Sequence, residues 1–204
     1  MLKLRSRSTL ICWCSVVSIL AGSTVDLRGQ DEPWQAMDYG PFLSAAIEVT
    51  PDNIACKGIA IPLDEAGEHA MLFDSAELRW AAAWQGDFVE LRGIVYNGPH
   101  GIWPRIAGKP DWINPAGPGI AVGKAGTFDD SRSVPFGPIE TGRWQGLQRD
   151  RDGLLLHYTI GNTRVFERAA FTRGEDLYAW KRSIQLIGLD VVLRFSLLSL
   201  EDGM

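Results

Sequence analysis

The stretch from Gly93 to Gly146 contains half of the chain's 22 glycines and seven of its 11 prolines. Glycine and proline both disfavour the interiors of helices and strands, and no regular hydrophobic period survives in this stretch. Runs that read as short β-strands flank it on both sides. We therefore expect a long ordered loop region on a β scaffold, an arrangement that often hosts function.

The sequence before this stretch reads as an antiparallel meander. Short runs of apolar and β-branched residues are separated by Pro-Asp, Asp-Glu-Ala-Gly and Gln-Gly-Asp breaks. These runs are Leu43 to Val49, Ile54 to Ile61, Ala70 to Phe73, Leu78 to Trp84 and Phe88 to Ile94. The segment from Asp74 to Trp84 is the best helix candidate because it is rich in alanine, but it is also compatible with a strand.

The strand pattern is stronger after the stretch. Apolar residues alternate from Leu154 to Ile160, and Gly161-Asn162 follows as a two-residue hairpin turn. Returning strands are predicted over Thr163 to Phe171, Leu177 to Ile187 and Val191 to Leu200. The predicted fold is mainly β, an antiparallel β-sandwich or sandwich-like meander with little helix.

The N-terminus has the three parts of a secretory signal. Lys3, Arg5 and Arg7 precede an apolar run from Leu10 to Ala21, and small residues follow. We expect a signal peptide over residues 1–23, an approach segment over 24–41 and a single β domain over 42–204. Export to the periplasm or the cell exterior follows from this prediction, the alternative being an uncleaved leader that anchors the chain.

Charge and cysteine content narrow the classes of function. The net charge of −5 gives no electrostatic reason to expect a nucleic-acid partner. Cys12 and Cys14 fall inside the predicted leader, so the mature chain keeps only Cys56 and has no intrachain disulfide. Cys56 lies in an apolar run and reads as a buried small hydrophobe rather than a nucleophile.

A polar and aromatic group in the Gly- and Pro-rich stretch is the candidate ligand surface. It consists of Asn97, His100, Trp103, Arg105, Trp112 and Asn114, beside Asp111. Tryptophan rings beside amides and charged groups are typical of sugar binding, because CH patches stack on the ring while polar groups meet the hydroxyls. The alternative is structural: the tryptophans pin the loop onto the sheet, and the asparagines bond to the backbone in turns.

Catalytic and cofactor signatures are missing from the sequence. Hydrolysis of a glycoside would need a pair of carboxylates, and nothing pairs the available acids, which are Asp111, Asp129, Asp130 and Glu140. Asp129-Asp130 reads as a turn or a solvated charge cluster. The three histidines are too widely spread for a metal site, and no haem, P-loop or dinucleotide motif is present, so we predict no catalytic residues, metal or cofactor.

Several blocks, taken in order, resemble a known bacterial family. They include "MDYGPFLSAAIE", "NIACKGIAIPLD", "GIVYNGPHGIWPRIAG", "PFGPI" and "LLLHYTIGNTRVFERAAF". The succession resembles a bacterial domain of unknown function at the N-terminal part of large exported proteins, alongside c-type cytochrome or membrane-bound dehydrogenase-like modules. The resemblance covers roughly Met37 to Phe171. It implies an architecture and the kinds of module found beside it, rather than a catalytic role.

Three functions follow as expectations. The first is a non-catalytic exported module that binds or assembles, with a glycan or another exported protein as its partner. The alternatives are a fragment of a carbohydrate-active enzyme, and a docking or spacer module for a cytochrome or dehydrogenase-like protein. The apolar strand predicted at Val191 to Leu200, close to Met204, favours a shortened version of a longer protein over a strand covered by a partner.

Overall fold

The computed structural model describes residues 38–92, 103–134, 137–175, 177–189 and 191–197. Within these residues the chain forms strands and no helix, as the sequence predicts. No helix there is long and apolar enough to cross a membrane. The predicted leader and most of the approach segment lie outside the described residues.

The first sheet has seven strands in the order β5-β6-β1-β2-β3-β4-β7. Four of them form the first four strands of the predicted meander, namely β1 (Leu43–Thr50), β2 (Asn53–Pro62), β3 (His69–Asp74) and β4 (Arg79–Gln85). The others are short: β5 (Val89–Glu90), β6 (Arg105–Ile106) and β7 (Lys109–Ile113). Neighbouring strands are antiparallel except β1 and β6, which pair in parallel through Glu48 and Arg105.

The short connection from β4 to β5 shows that this sheet curls. Gln85 and Val89 are four Cα steps apart, which is about 15 Å at full extension. In a flat sheet the five strand spacings between β4 and β5 would require about 24 Å. The sheet must therefore bend until its edges approach each other.

Small side chains line the concave surface of the curl. Ala55, Ala60, Ala70, Ala81 and Ala82 are buried there together with Ile47, Leu72 and Val89. Trp84 fills the remaining space, and its indole Nε1 donates to the Phe88 carbonyl at 2.8 Å. Alanine suits this position because strands on opposite sides of a tight curl lie close together.

The second sheet has four antiparallel strands in the order β12-β11-β10-β9. These strands are β9 (Gly142–Asp150), β10 (Gly153–Ile160), β11 (Thr163–Arg173) and β12 (Tyr178–Ile187). The predicted alternation in β10 is confirmed, because Leu154, Leu156, Tyr158 and Ile160 are buried and the residues between them are not. The predicted turn at Gly161-Asn162 joins β10 to β11.

The main core lies between the two sheets, which makes the fold sandwich-like. Phe73 and Trp80 from the first sheet meet Tyr158 from the second, with the Phe73 ring centroid 5.2 Å from that of Trp80 and 5.9 Å from that of Tyr158. All three side chains are almost fully buried. Each aromatic side chain removes a large apolar area from water, so these rings dominate the cohesion between the sheets.

The structure corrects two expectations from the sequence. The Gly- and Pro-rich stretch is not loop throughout, since it supplies β6, β7, the start of β9 and β8 (Ile120–Val122), which pairs with β13 (Leu193–Phe195). Of the strand predicted over Val191 to Leu200, the structure describes residues 191–197, and among these only Leu193–Phe195 form a strand. The helix candidate is a turn at residues 75–78 followed by β4, because Asp74 accepts the Ala76 N–H in the turn and Trp80 packs between the sheets.

Candidate functional site

The ligand surface predicted from the sequence is only partly described. Asn97 and His100 lie outside the described residues. Trp103 is half-buried, and Arg105 is exposed on β6, where its Nε donates to a Glu90 carboxylate oxygen. Arg105 lines a groove of about 540 Å³ together with Glu48 and Asp87.

Trp112 and Asn114 are held inside the fold. Trp112 is 9% exposed and packs in the core between the sheets. The Asn114 side chain donates to the Trp80 carbonyl at 2.9 Å, and the Asn114 carbonyl accepts from Asn53 Nδ2 at 2.8 Å. These contacts fix the loop onto the sheet, as in the structural alternative, although the asparagine bonds to a distant strand rather than to its own turn.

The candidate acids of the stretch are dispersed. Asp129 and Glu140 are exposed, and Asp130 accepts hydrogen bonds from the Arg132 backbone and guanidinium, which lower the pKa of Asp130. Asp111 accepts from Gln85 Nε2 at 2.7 Å and from Trp180 Nε1 at 2.8 Å. Of these four acids, Asp111 alone contacts side chains of both sheets.

A buried network of charges, which the sequence did not reveal, surrounds Glu77. Glu77 accepts from Arg79 Nε at 2.5 Å, from Arg132 Nη2 at 2.6 Å and from the Gly117 N–H at 3.1 Å. Arg79 also donates to Asn53 Oδ1 at 2.7 Å. Because Glu77, Arg79 and Asn53 are all buried, this network fixes residues 114–119, the segment around Arg132, and Gly137 to the first sheet.

A second buried network centres on Glu167, whose side chain is fully buried between the sheets. One carboxylate oxygen accepts from Trp80 Nε1 at 2.8 Å and from Arg182 at 2.7 Å. The other accepts from the Tyr158 hydroxyl at 2.8 Å. Burial and then the Glu167 charge raise the pKa of Tyr158 well above its usual value, so the phenol stays a proton donor.

The two sheets also meet through polar and aromatic side chains at one end of the sandwich, here called the end cluster. Its members are Asp64, His69, Gln85, Asp111, Phe171 and Trp180. The His69 ring stacks on Phe171 with centroids 3.7 Å apart, and the Trp180 ring lies 6.0 Å from His69. The bond from Trp180 to Asp111 continues the chain of contacts to β7 and Gln85.

Asp64 and His69 form a hydrogen-bonded pair within this cluster. His69 Nδ1 lies 2.5 Å from Asp64 Oδ2, and Asp64 Oδ1 accepts the Glu68 N–H at 3.0 Å. Burial raises the pKa of Asp64, but the hydrogen bonds from His69 and Glu68 outweigh it and lower that pKa overall. Asp64 is thus an ionised acceptor, so Nδ1 carries the proton and Nε2 is the remaining polar atom of the imidazole.

Two grooves adjoin the end cluster. The first, here called the His69 groove, has a volume of about 430 Å³ and is lined by Glu68, His69, Gln85, Asp87, Phe88 and Arg173. The second, the Tyr39 groove, has a volume of about 870 Å³ and is lined by residues that include Tyr39, Leu63, Asp64, Arg149, Arg151 and Leu154. Both grooves are bordered by Ala66, Gly67 and Phe88, so they are neighbours across the turn between β2 and β3.

The sequence reasoning missed the end cluster because its members are far apart along the chain. Asp64 and His69 lie around a turn, whereas Phe171 and Trp180 sit on the last two strands of the second sheet. The sequence offered one signal of this cluster. His69 directly precedes the strand predicted over Ala70 to Phe73, and Phe171 ends the strand predicted over Thr163 to Phe171. No group of three or more potential metal ligands lies together in the part of the chain that the structure describes.

Comparison with protein-family models gives a match to part of the chain. A protein-family model described as a domain of unknown function, DUF6797, matches residues 71–167. The matched segment includes most of the core between the sheets and the buried charges Glu77, Arg79 and Glu167, whereas Asp64, His69, Phe171 and Trp180 lie outside it. No curated protein and no solved structure matched the chain.

Proposed function

We propose that this protein is an exported, non-catalytic binding module that holds a glycan in the His69 groove. The observation that carries the proposal is the end cluster, where aromatic rings, carboxylates, an amide and an imidazole meet beside a groove of about 430 Å³. A pocket with a few convergent polar groups among apolar walls is the usual form of a ligand site.

The groups that line the groove suit a sugar. Gln85, His69 Nε2 and the exposed Arg173 can exchange hydrogen bonds with hydroxyl groups. The Phe88 ring offers an apolar face on which CH groups of a pyranose can stack. The adjoining Tyr39 groove provides room for further sugar units beyond the turn between β2 and β3.

The chemistry of the cluster supports binding rather than hydrolysis. Because the pKa of Asp64 is lowered, this carboxylate is poorly suited to act as a general acid near neutral pH. Asp111 Oδ2 already accepts two hydrogen bonds that tie β4 to β12. Both carboxylates are therefore engaged in holding the two sheets and the turn, not directed at a scissile bond. The sequence of the leader supports export.

Affinity gel electrophoresis in neutral polysaccharides tests the proposal. The probes are hydroxyethylcellulose, xylan, galactomannan and soluble starch. We expect one of them to retard the protein, and Arg173→Gln and Gln85→Ala each to weaken retardation by about fivefold, since each removes one hydrogen bond. Arg164→Gln is the matched control, because Arg164 lies on the same strand but outside the groove.

Two results would contradict the glycan proposal. One is migration unaffected by every polysaccharide, and the other is an equal loss in the Arg164→Gln control. Trp103→Ala belongs in the same panel, since it tests the contribution of the Gly- and Pro-rich stretch to binding. Trp112→Ala is unsuitable because it removes a ring from the core.

Docking onto another exported protein is a second candidate, the role that the resemblance to the N-terminal module implies. Exposed apolar side chains between residues 177 and 197 favour it, with Leu189 55%, Val191 41% and Val192 46% exposed. Co-purification of a haem protein that is lost in Leu189→Ser with Val191→Ser, but kept in Val134→Ser, would support docking. Val134 is the matched control because it is 55% exposed and lies far along the chain from this segment.

A further inference from the structure

The charges of this protein are unevenly distributed along the chain. Residues 142–187, which form the second sheet, contain eight Lys and Arg residues and five Asp and Glu residues, whereas the whole chain carries a net charge of −5. The second sheet is therefore a locally basic part of an acidic protein. Such a concentration of one sign attracts ligands of the opposite sign.

The strand register places several of these cations on the outer face of the second sheet, the face that points away from the core. Thr159 is aligned with Arg143 on β9 and with Arg164 on β11, so these three residues form one row across the sheet. Lys181 on β12 is aligned with Ala170 and is on the same face. Arg143, Arg164 and Lys181 are all exposed.

These three cations have no carboxylate partner among the described residues. The Arg143 guanidinium donates to the carbonyls of Ile139 and Gly142 at 2.9 and 2.8 Å, which orders it without neutralising its charge. Asp150 is the acid of this face, and it is bound by both terminal nitrogens of Arg168 at 2.8 and 2.7 Å. The face is thus positive and partly preorganised.

The next row adds a pair of stacked rings. His157 on β10 is aligned with Phe166 on β11, and their rings stack with centroids 4.4 Å apart and planes 10° apart. Gly146, aligned with His157 on β9, leaves open space where a side chain would stand. A ring-shaped ligand could lie beside this pair while anionic groups reach the row of arginines.

We infer that the outer face of the second sheet binds an acidic polysaccharide whose carboxylates recur on every second sugar. Arg143 and Arg164 are two strand spacings apart, about 9.6 Å between their Cα atoms. This separation is close to the length of a disaccharide unit in a 1,4-linked chain. A chain running across the strands would present one carboxylate to each arginine and sugar faces to the row of His157 and Phe166.

The spacing argues against nucleic acid as the occupant. Phosphates follow one another about every 3.4 Å along each strand of a duplex, which is much denser than these cations. The net charge of −5 also opposes a long and densely charged polyanion. A sparser polyanion, with neutral ring surface between its charges, matches the alternation of cations and stacked rings on this face.

Affinity gels that contain hyaluronan, in which a uronate alternates with a neutral sugar, test the inference in the full chain. We expect retardation that weakens as salt rises, and a loss of about threefold for Arg164→Gln and again for Arg143→Gln. Lys57→Gln is the matched control, since it removes one positive charge from an exposed position on β2 in the first sheet. Circular dichroism melting confirms that each variant folds.

Each alternative result overturns the inference. Equal losses in Arg164→Gln and Lys57→Gln would mean that only net charge matters, and no retardation in hyaluronan would mean that the face is no polysaccharide site. Tighter binding to a DNA oligonucleotide than to hyaluronan, with the same dependence on Arg164, would assign the face to nucleic acid. Since neutral polysaccharides probe the His69 groove, the two proposed sites can fail independently.

Discussion

Asp74, Glu77 and Glu167 are buried carboxylates whose surroundings differ. Glu167 accepts hydrogen bonds at both oxygens, and Glu77 faces two arginines. Asp74 keeps one oxygen, Oδ2, without a hydrogen-bond partner among the described residues. A buried charge is tolerated only when partners replace the lost hydration, so substitutions at these positions should have opposite effects on stability.

Glu167→Gln should lower the free energy of unfolding by about 3 kcal/mol. The change removes the negative charge that Arg182 meets and places an amide donor against Trp80 or Tyr158. Urea unfolding followed by tryptophan fluorescence measures the loss. Glu140→Gln, at an exposed position, should change stability by less than about 0.5 kcal/mol. Equal stability of the two variants would show that the pair of Glu167 and Arg182 contributes nothing to stability.

Asp74→Asn should stabilise the protein by about 1 kcal/mol at pH 7. Burial raises the pKa of Asp74, and the nearby Glu77 adds to the rise. Between its unfolded value of 3.8 and the raised folded value, the native state binds more protons, so ionisation of Asp74 weakens folding as pH increases. The stability that Asp74→Asn adds should therefore disappear below about pH 4. If the variant raised the urea midpoint by the same amount at pH 3 and at pH 7, ionisation of Asp74 would not be the cause.

At the scale of strands, the local meanders are encoded by nearby residues. The turn between β10 and β11 joins them through Gly161, whose φ of 54° lies in the left-handed region. Gly174, in the next connection along the chain, does not have a positive φ. Backbone conformation, rather than the presence of glycine itself, should therefore decide how each turn tolerates a side chain.

Gly161→Ala should cost about 1 kcal/mol of stability, because alanine is strained at positive φ. Gly174→Ala should be neutral within about 0.5 kcal/mol, since the nearest atom to its added Cβ is the Leu177 carbonyl oxygen at 3.4 Å. Thermal melting of both variants gives the comparison. A smaller effect at Gly161 than at Gly174 would show that turn conformation does not limit stability here.

The difference between local and distant contacts explains which strands could be predicted from the sequence and which could not. Strands β1 to β4 and β10 to β12 were predicted because alternation and turn residues are local signals. Strands β6, β7 and β8 were missed because they are short and gain their hydrogen bonds from distant segments, as when Trp112 aligns with Ala83. The end cluster was missed for the same reason, since His69 and Phe171 meet only when the two sheets pack.

At the scale of the molecule, the two sheets differ in what they bury and what they expose. The first sheet encloses its own apolar interior and carries the buried charges around Glu77. The second sheet covers the first with one face and presents cations on the other. The two proposed ligand sites thus use different faces of the same strand β11, which carries both Arg164 and Arg173.

Cys56 offers a reporter of global unfolding. It is half-buried on β2, and burial, followed by the charges of Asp74 and Glu77, raises the pKa of its thiol. In a chain whose Cys12 and Cys14 are replaced by serine, we expect a thiol reagent to react slowly at pH 7 and at least tenfold faster in denaturant. Fast labelling without denaturant would show that β2 opens locally before the sandwich unfolds.

The curl of the first sheet also affects the order in which the chain can fold. The parallel contact between Glu48 and Arg105 closes a loop of more than fifty residues, and such distant contacts form slowly. Strands β1 to β4 can pair while the chain is still emerging, but β6 joins β1 only after residue 105 has appeared. Until then the alanine-lined surface around Leu72 and Trp84 remains uncovered, and an apolar surface exposed in this way is prone to aggregation.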